Sequence, residues 1–428
     1  MTATVETLDG LTRRVNLTLN QEQVESEVKK RLARIAKTVR LDGFRPGKAP
    51  LNMVAARYGH EIQGEVMSDA LQNAFSQAVT ENKLAVAGYP RFAAGEAGAF
   101  IATFEVFPEI TLGDVGQIKV NRPVVEVGDV DVDRTLEVLR KQRIHYHTVD
   151  REAREGDRVH IDYLGKIGGE PFQGGEAKDF PVILGEGRTL KDFEGSLVGM
   201  KTGETRSFDV AFPEDYFAKE LAGKTATFEA TMKSVHEAHL PEVDDAFAQS
   251  MGVHEGGVAK LREEIASNLG REAKRRILAK VKEQVLNGLL ESTPFDVPAG
   301  LVAMERRALH EKAINDLKAR GLKEADIKVN DDVFEPQAKR RVALGLLMDH
   351  IVSTQGLVAR EEQVRTLVDE FAQSYEDPAE VVTWYYQDPS RLHEAKGLVL
   401  EENVVNWVLD KAQVTDEPTS LEKLMGNA

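Results

Sequence analysis

The stretch Gly43-Phe44-Arg45-Pro46-Gly47-Lys48-Ala49-Pro50 organises the N-terminal part of this chain. Its glycines and prolines predict a loop, because Gly adopts turn conformations easily and Pro interrupts helices. Before it, apolar residues recur every three or four positions from Val24 to Ile35, which predicts a helix over 21–39. A second helix-like segment covers 52–83, and Gly88-Tyr89-Pro90 is predicted to break this second helix. We therefore predict a loop at the tip of a helical hairpin, carrying one large aromatic side chain and two cations.

Cations cluster around this loop although the whole chain is acidic, with a formal net charge of −16. The cluster consists of Lys29, Lys30, Arg31, Arg34, Lys37, Arg40, Arg45 and Lys48. A compact basic patch on an acidic protein favours an anionic partner, and nucleic-acid phosphate is the natural candidate. The alternative is a solvated helix face that ends in a capped turn. Residue types alone leave both interpretations open.

Length and composition exclude several classes of protein. The chain has 428 residues, which favours about three domains. Charged residues make up 29% and hydrophobic residues 42%, as is typical of globular proteins. The lack of cysteine excludes disulfides, thiolate zinc sites and thiol nucleophiles. Since no apolar leader and no stretch of ~18 apolar residues occurs, we expect a cytoplasmic protein.

The octapeptide resembles the signature loop Gly-Phe-Arg-x-Gly-Lys-x-Pro of the bacterial trigger factor family, which comprises ribosome-associated folding chaperones. The resemblance continues along the whole chain. It implies that 1–112 is an α+β ribosome-binding domain that docks on the large subunit beside the exit tunnel. The contact residues that it implies are Phe44, Arg45 and Lys48. The cations suit carboxylate or phosphate, so we expect weak, salt-sensitive binding. Pro46, where many relatives have a cation, should stiffen the loop.

Residues 113–149 are predicted to connect two domains. An extended segment over 120–127 precedes a helix over 131–147, near whose end His145 and His147 flank a tyrosine. A His-x-His pair is a candidate metal ligand set. No third ligand is close in sequence, so we interpret the pair as surface or core histidines and predict no metal site.

Residues 150–238 alternate like short strands. The pattern includes a strand over 158–165, a hairpin turn at Gly168-Gly169, a short helix over 193–200 and a last strand over 225–235. These features predict a small, strongly bent antiparallel sheet around one short helix. Their order resembles the FKBP-type peptidyl-prolyl isomerases, and Leu184-Gly185-Glu186-Gly187-Arg188 makes the resemblance specific.

The FKBP resemblance implies a hydrophobic pocket for proline. Its candidate catalytic residues are Tyr163 as a wall and hydroxyl donor, Phe172 and Phe180 as walls, Leu190 as an apolar contact, Phe193 as the floor and Phe228 as the opposite wall. Gln173 and Lys191-Asp192 depart from the usual pattern. In the predicted lid after Pro213, Tyr216 or Phe217 is the candidate second pocket aromatic. The alternative is that these aromatics only form a domain core.

The remainder, 239–428, is predicted to be helical. Apolar residues recur every four positions over 261–289, and further helices are predicted over 298–320, 334–354, 361–374, 378–386 and 389–412. The polar tail after Thr415 is predicted to be frayed. The resemblance implies a chaperone body with two arms around unfolded chains. Apolar residues that could line it are Met304, Leu309, Leu346, Leu347 and Met348, although packing between helices is the favoured interpretation.

The predicted fold class is multidomain α+β: an N-terminal α+β ribosome-binding domain, an FKBP-like bent antiparallel sheet with a short helix, and an all-α C-terminal domain with long helical arms. We predict a chaperone and peptidyl-prolyl isomerase without cofactor, and without ATP because no Walker-type glycine loop occurs. Its expected partners are the large ribosomal subunit, through ribosomal protein and rRNA phosphate, and nascent or unfolded polypeptides. No membrane partner is expected, and a weak homodimer is expected off the ribosome. A freestanding isomerase and an RNA-binding accessory factor remain alternatives.

Overall fold

The computed structural model describes residues 5–41, 44, 50–95, 99–216, 218–323, 327–373, 375 and 377–426. In chain order, its main elements are β1 (Val5–Thr7), β2 (Thr12–Thr18), α1 (Gln21–Ala36), α2 (Leu51–Glu81), β3 (Val86–Ala94), β4 (Ala99–Val106), β5 (Lys119–Val124), α3 (Asp129–Gln142), β6 (His145–Val149), β7 (Arg158–Ile167), β8 (Glu170–Ile183), α4 (Lys191–Leu197), β9 (Thr205–Ala211), β10 (Thr225–His239), α5 (Asp245–Ser250), α6 (Gly257–Ser292), α7 (Ala299–Ala319), α8 (Glu335–Gln355), α9 (Glu361–Ala372), α10 (Pro378–Tyr386), α11 (Pro389–Leu409), β11 (Gln413–Pro418) and α12 (Leu421–Met425). This order confirms the predicted multidomain α+β class.

The chain forms two compact units, each assembled from segments that are distant in sequence. The first unit comprises 1–122 and 279–417, and the second comprises 123–278 and 418–428. Within the described residues, no helix is both long and apolar enough to cross a membrane.

A four-stranded antiparallel sheet and a helical hairpin form the N-terminal part of the first unit. The sheet has the order β1-β2-β4-β3, and α2 packs Phe75 against Val15 and Phe104 of its inner face. Asn20 begins α1, since its side-chain oxygen accepts hydrogen bonds from two backbone N–H groups of the first turn. Leu32 packs between the two helices. The predicted hairpin is confirmed.

One predicted helix break is wrong. Gly88-Tyr89-Pro90 was expected to end the second helix, but α2 ends at Glu81 and these residues lie inside β3. The pairing of β3 with β4 shifts register between Ala87 and Arg91, and Gly88 has a φ of 83°. This bulge accommodates Pro90, which has no N–H to donate to a regular ladder.

Helices α7 to α11 make up most of the C-terminal part of the first unit. The Glu105 carboxylate of β4 accepts hydrogen bonds from the backbone N of Ala299 (3.1 Å) and of Gly300 (2.6 Å), so it caps α7 and ties it to the sheet. Of the apolar residues considered for client binding, Leu309 and Leu347 are buried between helices and Met304 is exposed.

The prediction of a frayed tail after Thr415 is wrong. Residues 413–418 form β11, which pairs with β5, and the Arg122 guanidinium binds both carboxylate oxygens of Asp416 at 2.7 and 3.0 Å. In the second unit, α12 buries Leu421 and Leu424 against Ala273. The partners of this tail lie far away in sequence, so its local polar pattern carries no sign of them.

The second unit is built on an antiparallel sheet of order β6-β10-β7-β8, with β9 also paired to β10. Gly168 and Gly169 have φ values of 62° and 91°, which two-residue hairpin turns of type I′ require. The predicted helix over 131–147 is wrong at its end, because α3 stops at Gln142 and His145 begins β6. Pairing with β10 gives this segment its strand conformation.

Candidate functional site

All six residues predicted to form the proline pocket lie in one hydrophobic cluster of the second unit. Phe193 and Phe228 are buried in its core, and Tyr163, Phe172, Phe180 and Leu190 are half-buried around them. Four elements supply the rings: β7, β8, α4 and β10. A cluster with a buried centre and half-buried surrounding side chains is therefore assembled from segments that are separated in sequence.

Phe193 lies at the centre of the cluster and is 6% exposed. Its ring centroid is 5.6 Å from that of Tyr163 and 5.1 Å from that of Phe228, and both pairs meet edge to face. The rings of Tyr163 and Phe228 are 5.9 Å apart. These edge-to-face contacts are favourable ring geometries and fix the orientation of the walls.

The outer walls continue this arrangement. The Phe180 ring is 5.6 Å from Tyr163, and the Phe172 ring is 6.1 Å from Phe228. The Leu190 carbonyl accepts hydrogen bonds from the backbone N of Phe193 at 2.9 Å and of Glu194 at 3.0 Å, so this residue begins α4. The position of Leu190 therefore sets the position of the floor residue.

Two further aromatics belong to the cluster and were not predicted. The Phe208 ring is 5.5 Å from Phe193, and the Phe212 ring is 6.1 Å from Phe172. Phe208, Val210 and Phe212 alternate along β9 and beyond its end, and this period of two was the available signal.

Tyr216, one of the two predicted lid aromatics, packs on Phe212 with ring centroids 4.8 Å apart. Phe217, the other candidate, lies outside the described residues. Burial raises the pKa of the Tyr163 hydroxyl, and the nearby Tyr216 raises it further. Tyr163 therefore presents a neutral O–H donor at physiological pH.

Two glycines allow the rings to lie close to the strands. A Cβ atom at Gly165 would be 2.5 Å from Cε1 of Phe228 and 2.9 Å from Cε1 of Phe172. A Cβ atom at Gly175 would be 2.9 Å from the same Phe172 atom. Real Cβ atoms do not approach ring atoms so closely, so the two walls require glycine at these positions.

The Leu184–Arg188 motif folds around the buried carboxylate of Glu194. Its oxygens accept hydrogen bonds from the backbone N of Gly185 (2.9 Å), Gly187 (3.2 Å) and Thr189 (3.0 Å), and from the Thr189 hydroxyl (2.9 Å). Burial raises the pKa of Glu194, but these hydrogen bonds outweigh burial and lower it overall. Glu194 is thus an ionised anchor that joins the glycine-rich loop to α4.

At the tip of the first unit, the structure describes only part of the predicted ribosome contact. Phe44 is 38% exposed, and Leu51 and Met53 in the first turn of α2 are also exposed. Arg45 and Lys48 lie outside the described residues. The described part of this tip therefore exposes the apolar side chains of Phe44, Leu51 and Met53 to solvent.

The basic patch contains fewer free cations than the sequence suggested. The Arg31 guanidinium lies 2.6 Å from Asp69, 3.8 Å from Glu65 and 3.9 Å from Glu27. These acidic side chains come partly from the facing helix α2, which residue spacing in α1 does not reveal. The charge of Arg31 is therefore already paired with carboxylates of the hairpin.

Family models cover most of the chain. The model of the bacterial trigger factor protein matches 1–139, that of the trigger factor C-terminus matches 257–410, and that of the FKBP-type peptidyl-prolyl cis-trans isomerases matches 149–233. The aromatic cluster lies in the FKBP-type segment, and the Phe44 tip lies in the N-terminal one.

Full-length relatives agree with these matches. Trigger factor of Nitrosospira multiformis is 50% identical and covers 100% of both chains, and that of Aromatoleum aromaticum is 49% identical with the same coverage. A solved structure of the trigger factor chaperone, concerned with its promiscuous substrate recognition, is 19% identical to this chain with a TM-score of 0.46. The match covers 95% of this chain and 99% of that chain. The chain therefore belongs to the trigger factor family, the ribosome-associated chaperones that bind nascent chains and carry an FKBP-type peptidyl-prolyl isomerase domain.

Proposed function

We propose that the aromatic cluster is the site at which this chaperone isomerises X-Pro bonds. The observation that carries the proposal is the convergence of Tyr163, Phe193 and Phe228 from three different elements within 6 Å of one another. Phe193 is the floor of the site, and Tyr163 and Phe228 are walls. Phe172, Phe180 and Leu190 complete the set of residues that contact the substrate.

The chemistry needs only a preference for the twisted transition state. Rotation about the X-Pro bond faces a barrier of about 18–20 kcal/mol, which arises from amide resonance. The twisted amide has lost that resonance and has a smaller carbonyl dipole, so a water-poor aromatic site binds it better than the planar ground state. Each tenfold acceleration requires the site to bind the transition state about 1.4 kcal/mol more tightly than the ground state. The neutral Tyr163 hydroxyl donates a hydrogen bond that orients the substrate carbonyl.

The test measures refolding of a substrate protein whose slow step is X-Pro isomerisation. Phe193→Leu keeps an apolar floor but removes the ring, and we expect at least a tenfold loss of kcat/KM. Tyr163→Phe removes the hydroxyl alone, and we expect a smaller loss. Tyr146→Phe is the matched control, because Tyr146 lies on β6 outside the cluster beneath the Arg158 guanidinium. Full activity of Phe193→Leu would refute the assignment.

We also propose that Phe44, Arg45 and Lys48 are the ribosome-contacting residues. The exposed apolar tip formed by Phe44, Leu51 and Met53 supports a docking surface here. Phe44 would enter an apolar site on a ribosomal protein, while the two cations would neutralise carboxylate or rRNA phosphate.

Co-sedimentation with bacterial ribosomes at low and moderate salt tests this docking surface. The variant that combines Phe44→Ala, Arg45→Ala and Lys48→Ala should lose binding, and native binding should weaken as salt increases. Tyr89→Ala is the control, because it removes an aromatic from β3 that is 81% exposed. Unchanged sedimentation of the triple variant would remove the loop from the docking surface.

We also propose domain boundaries, a cellular location and an oligomeric state for this protein. We assign 1–112 to ribosome binding, 113–149 to a connector, 150–238 to the isomerase domain and 239–428 to the chaperone domain. The protein works in the cytoplasm and dimerises weakly off the ribosome. Isolated 150–238 should retain isomerase activity on short peptides and lose ribosome binding, which tests these boundaries.

A further inference from the structure

Three exposed histidines lie on one face of the strand pair β6–β10. His145 and His147 alternate along β6, so their side chains project from the same side of the sheet. His239, the last residue of β10, is directly opposite His145 in the antiparallel register. Residues directly opposite each other share a face, so the third imidazole joins the His-x-His pair from 92 positions away in sequence (239 − 147).

The spacing of these imidazoles suits a shared ion. The ring centroids of His147 and His239 are 6.0 Å apart, with an interplanar angle of 64°. Two imidazoles on one tetrahedral zinc have ring centres about 5 Å apart, given Zn–N distances of about 2.0–2.1 Å. Cβ atoms of directly opposed residues, such as His145 and His239, are about 4.5–5.5 Å apart. Side-chain rotations of these three imidazoles would therefore convert the arrangement into a three-ligand site.

These rotations have not occurred in the structure as it stands. Among the described residues, no three histidine, aspartate or glutamate side chains are arranged to hold a metal ion. All three imidazoles are exposed, so they can change rotamer without disturbing the core. Glu237 lies opposite His147, but its carboxylate binds the Arg151 guanidinium at 2.9 Å. We therefore count three imidazole ligands and leave the fourth position to water.

We propose that His145, His147 and His239 form a binding site for a divalent transition-metal ion such as Zn²⁺. Neutral imidazole is a preferred ligand of zinc, copper and nickel, and two ligands from one strand with a third from its neighbour give the non-planar set that a tetrahedral ion needs. The bound ion joins the edge strand β6 to the end of β10. It therefore ties together the points at which the chain enters and leaves the isomerase sheet.

The experiment uses the full chain without a histidine tag, titrated with Zn²⁺ by calorimetry and with Co²⁺ by visible absorption. We expect one site per chain and an intense absorption band typical of tetrahedral Co²⁺. His147→Ala and His239→Ala should each weaken binding by about tenfold or more. His254→Ala, which removes an exposed histidine elsewhere in the second unit, should bind like the native protein.

A second measurement separates ligation from loose surface association. Because a ligand of the native state stabilises it, Zn²⁺ should raise the Tm of the native protein and of His254→Ala by several degrees, and leave the Tm of the combined His145→Ala, His147→Ala and His239→Ala variant unchanged. Equal Zn²⁺ affinity of the native protein and the triple variant would overturn the proposal, as would an octahedral Co²⁺ spectrum that is the same in both.

Discussion

The docking tip and the aromatic cluster, the two sites that we propose, are built in opposite ways. The three residues proposed to contact the ribosome, Phe44, Arg45 and Lys48, are contained in one octapeptide, and Phe44 is exposed. The rings of the cluster come from β7, β8, α4 and β10, and its central ring, Phe193, is buried. A contiguous loop can be exchanged or mutated without disturbing a core. A dispersed site shares its walls with the core of its domain, so changes outside it can destroy it.

The largest expected effect comes from Gly165→Ala, a change at a residue that we do not assign to the site. The new Cβ would be 2.5 Å from the Phe228 ring and 2.9 Å from the Phe172 ring, so both walls must move. We expect more than a tenfold loss of isomerase activity and a destabilisation of about 1–3 kcal/mol. Refolding assays and thermal unfolding measure the two effects.

Gly195→Ala is the matched control for this change, because no atom lies within 4 Å of the added Cβ and the residue is in a helix. Ribosome binding of Gly165→Ala should equal that of the native protein. If Gly165→Ala kept the isomerase activity of the native protein, the site would not depend on core residues outside it.

A smaller effect is expected from Glu194→Gln, which neutralises the anchor of the glycine-rich loop. A neutral amide accepts weaker hydrogen bonds from the N–H groups of Gly185, Gly187 and Thr189 than a carboxylate does. We therefore expect the free energy of unfolding to fall by about 1–3 kcal/mol near pH 7. Because the folded-state pKa of Glu194 lies below its unfolded value, this stabilisation is present above about pH 4.3 and is lost as pH falls through the folded pKa.

Urea unfolding of native protein and Glu194→Gln between pH 7 and pH 3 measures this difference. The difference in the free energy of unfolding between the native protein and Glu194→Gln should narrow below about pH 4.3. Glu186→Gln is the control, since its partly exposed carboxylate pairs with the exposed Arg188. If this difference in the free energy of unfolding stayed constant down to pH 3, the negative charge of Glu194 would not be the feature that stabilises the loop.

The smallest effect is expected from Arg31→Ala in helix α1 of the hairpin that carries the docking loop. This cation is already paired with Asp69, Glu65 and Glu27, so its removal should change ribosome affinity by less than about twofold. Arg45→Ala, within the octapeptide, should weaken binding more and reduce its salt dependence. Equal losses in the two variants would mean that the whole hairpin face contributes to docking, and not the contiguous loop alone.

The six pocket residues were predicted from the FKBP resemblance and not from local patterns. Alternation along the sequence indicated only the strands on which Tyr163 and Phe228 lie. Phe208 and Phe212 were not predicted although they show the same alternation. Glu194 was not predicted because a carboxylate beside an apolar floor looks like an exposed residue until the N–H groups that bind it are located. The role of each pocket residue and of the Phe44 loop stays a prediction until the variants are measured.

Elements that depend on nearby residues could be predicted from the chain alone. The helical hairpin, the long helix α6 and the Gly168-Gly169 turn follow from periodicity or turn chemistry within one segment, and the octapeptide was identified by its family resemblance. The pairing of distant segments became visible only in three dimensions: β11 with β5, Glu105 with the start of α7, Arg31 with Asp69, and His239 with His145. This is because a local pattern records which face of an element is apolar. It does not record which other part of the chain will cover that face or pair with its edge.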